Sequence, residues 1–269
     1  KQNIDYLPLK GIVIKELYPE MGMREFADHD ILIRGKDAKA VKRIFVSRDY
    51  KIESYGKTHH DVYEKLPFYN YEIHRCLFDD GGVVSSKYFK NVWDKSSHIG
   101  NHRYELNEND CYIYILAHAF KHLENSGNGL RYLLDIYVIE KAWKDKLDHA
   151  YIRKEMETIN MLDFYETSLI LAKKFLHEDN ESLTEEESAM LNKIFLSGTY
   201  GTIENRVENQ LKKKSKFRYF LSRAFMPWSS MRMFYPFIAY TFIFIPFFWA
   251  WRLLYSLIFK FSRVKAEID

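Results

Sequence analysis

Ala27-Asp28-His29-Asp30-Ile31-Leu32-Ile33 alternates polar and apolar side chains and then runs apolar, the pattern of a strand solvated at its start and buried at its end. On such a strand, side chains at i and i+2 share a side, so Asp28 and Asp30 project together while His29 faces the other way. Two carboxylates in one small volume repel unless a cation lies between them. Hard oxygen ligands with room for water and phosphate oxygens suit Mg²⁺ better than zinc. Glu72, in Asn70-Tyr71-Glu72-Ile73-His74, stands on a second predicted strand with the same patterning and can supply a third oxygen ligand. Three carboxylates on adjacent strands make a two-metal site for phosphoryl transfer. An edge strand with two solvated aspartates is the commoner arrangement, and Asp-x-Asp by itself leaves both readings open.

Outward from this strand the pattern is mixed. Residues 4–9 read as a short strand, Lys10-Gly11 as a turn, and residues 12–17 as a short helix ended by Tyr18-Pro19. Gly35 closes the Asp-x-Asp strand, and Ala38, Val41, Ile44 and Phe45 stand at helical spacing over residues 36–47. Residues 50–55, 60–64 and 68–77 then read as strands. From Asn107 long helices take over, at 108–125, 130–144, 148–159, 163–175 and 185–195. The expectation is an α+β fold: a small mixed sheet with flanking helices over residues 1–105, an all-helical domain over 106–205, and an apolar helical C-terminal segment over 206–269.

With 269 residues, 47% hydrophobic and 17% aromatic, the chain can bury a sizeable core. Forty Lys plus Arg nearly balance 37 Asp plus Glu, which argues against a protein that wraps nucleic acid. Two cysteines, Cys76 and Cys111, are too few for a disulfide framework or a cysteine zinc cluster, so the expected compartment is the reducing cytoplasm. The chain opens Lys1-Gln2-Asn3, without a basic-then-apolar leader and without Met, so further residues are expected upstream. The balance of charge hides an asymmetry. Residues 206–269 carry 12 Lys plus Arg against 3 acids, net +9, and an uncharged aromatic run over 233–251 follows the lysines at 212–216. That order suits peripheral attachment to the inner face of a membrane. Pro236 and Pro246 interrupt a clean spanning helix, and helices closing over the protein's own core or a sister subunit are the alternative.

Leu9-Lys10-Gly11, Tyr18-Pro19, Arg24, Asp28-x-Asp30 and Glu72-Ile73-His74 follow in a fixed order. His118, Leu130-Arg131, Leu133-Leu134-Asp135-Ile136 and Ser197-Gly198-Thr199-Tyr200-Gly201 continue it. In these pieces the chain resembles the uncharacterised-nucleotidyltransferase family within the DNA polymerase beta-like nucleotidyltransferase superfamily, over nearly its whole length. The resemblance implies a small sheet with helices on one side, Asp28 and Asp30 as metal ligands, and Glu72 as the third carboxylate. It also puts Lys10-Gly11 where more typical superfamily members carry a Gly-Ser phosphate-binding turn. Lys10 there offers a point charge to the β or γ phosphate, Gly11 lets the backbone approach, and Arg24 lies near the same phosphates. For Arg24 a surface ion pair with Glu20 or Glu25 is the equal alternative.

His118 and His122 share a helix face but lack a third ligand at motif spacing, so a packed pair is expected rather than zinc. Arg131 and Asp135 are expected to form an intrahelical ion pair, or by the resemblance to line the nucleotide or acceptor pocket. His74 and His59-His60-Asp61 are expected as polar strand ends, with proton transfer as the alternative. The expected function is transfer of a nucleoside monophosphate, AMP from ATP, to an unknown hydroxyl or phosphate acceptor, with two Mg²⁺ ions and release of pyrophosphate. The acceptor is a small molecule, a glycan intermediate or a protein. The alternative is a nucleotide-binding regulatory module with weak turnover, attached to membrane or partner by its C-terminus.

Overall fold

The computed structural model describes residues 3–25, 27–80, 82–176, 182–198, 202, 225 and 245–251. The chain starts as the alternation of Tyr6, Leu7 and Pro8 demands, with β1 (Tyr6–Pro8) burying Leu7. Lys10 then turns the chain into α1 (Gly11–Ile14) and a tighter turn of helix over Lys15–Leu17. The Asp-x-Asp segment forms β2 (His29–Ile33), followed by α2 (Ala38–Val46). Then come β3 (Lys51–Ser54), β4 (His60–Lys65), β5 (Tyr69–His74), β6 (Ser96–Gly100) and β7 (Arg103–Leu106). The helices are α3 (Glu108–Asn125), α4 (Arg131–Ala142), α5 (His149–Thr158), α6 (Leu162–Phe175) and α7 (Glu185–Ser197).

The seven strands make one mixed sheet in the order β3-β4-β5-β2-β1-β7-β6. β2 runs parallel to β5 and β1 parallel to β7, and the other neighbours are antiparallel. Period-two alternation divides each strand between two faces. On one face Ile33, Ile73 and Tyr63 pack with Ala38 and Val41 of α2, and Phe45 stacks on Tyr63 at a centroid distance of 4.4 Å. The opposite face carries Asp30, Glu72 and His74, and there Lys121 of α3 comes within 3.4 Å of His59. Helices therefore flank both faces, not the single face that the resemblance implies, because Leu7, Leu9 and Leu32 also need cover.

The edge hairpin β6–β7 is absent from the sequence expectation. Its turn is Asn101-His102, with φ of 49° and 64°, and the pairing of Gly100 with Arg103 makes it a primed hairpin turn, where asparagine tolerates the left-handed conformation. In the helical part, Asp148 caps α5 by accepting from the Tyr151 N–H, and α4 and α5 both pack on α6 around Leu133, Ile136, Ile152, Tyr165 and Leu171. Lys174 of α6 pairs with Glu187 of α7 at 3.0 Å.

The chain divides into two compact units, residues 1–121 with 130–191, and residues 122–129 with 192–269. Every residue of the site below belongs to the first. Most of the expected apolar C-terminal segment lies outside the described residues. Residues 245–251 are helical, and among the described residues no helix is long and apolar enough to cross a membrane.

Candidate functional site

Strand pairing assembles the acidic group. The β2–β5 register sets Asp30 beside Glu72 and Leu32 beside His74, and the β4–β5 register sets His60 opposite His74. Alternation then brings Asp30, Glu72, His74 and His60 to one face. Asp30, Glu72 and His74 each offer a ligand atom within 4.8 Å of the others. Asp28 lies just ahead of β2 and not in it, because pairing with β5 begins at His29. It stays outside that close trio but within reach of its charges.

The electrostatics follow from burial. Burial is the largest influence on Glu72, and with the charges of Asp30 and Asp28 it outweighs the pull of Lys10 and raises the carboxyl to about 7. Asp28 is raised as well, by burial and then by the Asp30 charge. Burial would also raise Asp30, but the His74 hydrogen bond and the Lys10 charge win and hold it near 2. Lys10 Nζ donates to Asp30 Oδ1 at 2.6 Å and His74 Nε2 meets the same oxygen at 2.7 Å. The lysine expected to face phosphate thus contacts a carboxylate directly.

Lys10 takes φ 47° and ψ −119°, backbone that glycine adopts freely and an L side chain does not. The turn is pinned by the Ile12 N–H to the Leu9 carbonyl at 3.2 Å and by the Leu9 N–H to the Asp30 carbonyl at 3.0 Å. Holding a non-glycine there costs on the order of 1–3 kcal/mol, which the ammonium–carboxylate contact offsets. Lys10 also lines a cavity of about 790 Å³ running along β1 and α1, whose wall includes His29 and Tyr71, stacked at 4.7 Å.

Arg24 and Asp135 come together 111 residues apart. Arg24 Nε and Nη2 donate to the two Asp135 oxygens at 2.7 and 2.9 Å, and the Tyr18 hydroxyl donates to Asp135 at 2.7 Å. Both side chains of the pair are 8% exposed. Burial lowers the Arg24 pKa, but the hydrogen bond and charge of Asp135 more than reverse it. This corrects two expectations. Asp135 pairs with Arg24 and not with Arg131, whose Nη1 instead lies 3.4 Å from the Glu25 carbonyl. Arg24 makes no surface pair with Glu20 or Glu25; it reaches only the Glu25 carbonyl, because the fork geometry of guanidinium matches the carboxylate that α4 presents.

The histidines do more than end strands. His59 Nδ1 meets Asp79 at 2.7 Å, His59 Nε2 and His60 Nδ1 lie 3.3 Å apart, and His74 is 1% exposed. Burial holds His59 near 3 and His60 near 4, so both are neutral at physiological pH. Asp61 points to the other face, where it accepts from Arg75 and from the Gly56 N–H. Lys121 and Asp79 were missed by sequence reasoning, since neither stands in a motif. Neither His118 nor His122 joins a group able to hold a metal among the described residues.

The donor set fits a hard divalent cation. Asp30 and Glu72 offer carboxylate oxygens on paired strands, Asp28 is a further carboxylate near by, and burial first, then the charges of Asp30 and Asp28, lift Glu72. Comparison with curated proteins and with solved structures gives no match. Residues 1–177 match the model of the family described as Uncharacterised nucleotidyltransferase, and the chain, a transferase of nucleotides by that kinship, belongs to this family.

Proposed function

We propose that this chain is a Mg²⁺-dependent nucleotidyltransferase that moves AMP from ATP to an acceptor hydroxyl or phosphate and releases pyrophosphate. The observation that carries the reading is the side-by-side register of Asp30 and Glu72 on β2 and β5, with Asp28 at the strand entrance. Asp28, Asp30 and Glu72 would hold the metal, which when bound supplies Lewis-acid charge neutralisation at the phosphates and a lowered pKa at the acceptor hydroxyl. Glu72, the carboxylate nearest the acceptor, would also assist removal of the acceptor's proton. Lys10 offers its ammonium to the triphosphate from a turn that fixes its backbone, and His74 holds the Asp30 carboxylate in place. The Arg24–Asp135 pair anchors the segment leading to Asp28, which makes Arg24 a positioning residue. The net +9 of residues 206–269 fits an acceptor at the cytoplasmic face of a membrane.

A second reading, a module that binds nucleotide without turnover, draws on the Lys10 ammonium lying on the Asp30 oxygen that a metal would take. Incubation with α-³²P ATP, Mg²⁺ and an acceptor panel distinguishes the two. The enzyme reading expects pyrophosphate release and label on an acceptor, both lost in Asp30→Asn. Tight ATP binding with no pyrophosphate from any acceptor supports the module. Label on protein identifies a protein acceptor.

A further inference from the structure

Three imidazoles meet behind the carboxylates, and two of them have a carboxylate hydrogen-bonded to one ring nitrogen. His59 Nδ1 is 2.7 Å from Asp79, His74 Nε2 is 2.7 Å from Asp30, and His60 Nε2 is 3.7 Å from Glu72. The Asp79 and Asp30 carboxylates draw the ring N–H of His59 and His74 to their own side and leave a lone pair on His59 Nε2 and His74 Nδ1, while Glu72 at 3.7 Å lies beyond hydrogen-bond reach of His60. The remaining nitrogens are His59 Nε2, His60 Nδ1 and His74 Nδ1. The first two share a hydrogen bond of 3.3 Å, in which His60 Nδ1 donates to His59 Nε2, so His60 ligates once its proton moves to Nε2; the third is buried with no hydrogen-bond partner among the described residues. Two imidazole nitrogens bound to one tetrahedral ion at about 2.0–2.1 Å lie roughly 3.3–3.4 Å from each other. One ring nitrogen from each histidine falls within 4.8 Å of the other two, and the ring centroids are 4.6, 5.1 and 5.4 Å apart.

We propose that His59, His60 and His74 form a site for a transition-metal ion of the Zn²⁺ class, distinct from the carboxylate site and joined to it through His74. Imidazole suits such an ion better than Mg²⁺, and a carboxylate on the outer nitrogen, as His59 and His74 have, is the usual supporting shell. The three ligands come from β5 and from the start of β4, and Asp79 adds the loop after β5, so the ion ties these segments together. It also fixes the ring of His74, whose other nitrogen holds Asp30. The ammonium of Lys121, 3.4 Å from His59 Nε2, must swing aside, and it tunes affinity downward.

The site is independent of the proposed nucleotide chemistry, and Co²⁺ tests it separately. The full chain, stripped with chelator, is titrated with Co²⁺ and read by visible absorption. The expected result is a saturable, intense band of a four-coordinate site, over the weak absorption of Co²⁺ held by the carboxylates. The band is lost in His60→Asn and kept in Asp28→Asn. Asp79→Asn, at a half-exposed side chain, weakens binding by about 10- to 100-fold. Lys121→Met tightens it by about tenfold, which a loss of folding could not mimic. Absence of saturable Co²⁺ binding overturns the site, as does a band that survives in His60→Asn or disappears in Asp28→Asn. A silent titration beside intact Mg²⁺-dependent transfer removes this metal site alone.

Discussion

Glu72→Gln is expected to separate chemistry from stability. Transfer should fall on the order of 10³-fold, about 4 kcal/mol of barrier, because a metal ligand and proton acceptor is lost. The metal-free variant should nevertheless be more stable than the wild type above pH 7. In the folded chain the Glu72 carboxyl titrates near 7, against an ordinary value of 4.5. Between those pH values the folded state holds a proton that the unfolded state has released, so this group's contribution falls as pH rises through 4.5 to 7. The loss is on the order of 2–3 kcal/mol at pH 8, and glutamine does not suffer it. His59 and His60 have the opposite slope, since their depressed pKa values give stability that is lost as pH falls below 6.5. The readout is therefore the difference between the two chains in urea melts at pH 5 and pH 8. Added Mg²⁺ should restore the wild type at pH 8 and leave the variant unchanged. A difference that is the same at both pH values would mean that Glu72 does not face the aspartates.

Asp135→Asn should be the most destabilising change at a single side chain outside the acidic trio. It leaves the Arg24 guanidinium buried without its counter-charge and turns the oxygen that accepts from Arg24 Nη2 into an NH2 that faces another donor. Breaking a buried pair from one side costs about 3–5 kcal/mol, whereas replacing both partners by apolar residues of similar size is far milder. Arg24→Met with Asp135→Leu should accordingly recover most of the stability lost in Asp135→Asn. If the recovered variant folds and still transfers nucleotide at a much reduced rate, Arg24 acts by placing the 18–28 segment. A loss below about 1 kcal/mol in Asp135→Asn would show the pair to be solvent-screened.

The shared face of Asp30 and Glu72 was legible because its information is local. Both stand in strands, and alternation states which side chains share a face before any partner is known, whereas Asp28, read as a strand residue, lies just ahead of β2. The long helices were equally plain from spacing, and α3 spans Glu108–Asn125 as the pattern indicates. The β6–β7 hairpin was not legible, since Ser97, His98 and Ile99 are exposed on an edge and show no buried alternation. Its one signal was Gly100-Asn101, a turn dipeptide between short polar runs. The contacts that set the charge state of the site were also hidden. Lys10 meets Asp30 across 20 residues and Arg24 meets Asp135 across 111, and such pairing depends on tertiary approach, which spacing does not carry. The histidine trio became visible only once the register set His60 opposite His74.

The claim on which the rest depends is that Asp28, Asp30 and Glu72 hold divalent cations where nucleotide phosphates can reach them. Calorimetric titration of the full chain with a non-hydrolysable ATP analogue, in Mg²⁺ and in chelator, tests it directly. The account predicts saturable binding in Mg²⁺ that weakens by at least about tenfold in chelator and in Glu72→Gln, a loss of 1.4 kcal/mol or more. Equal affinity with and without Mg²⁺, or affinity untouched by Glu72→Gln, would contradict it.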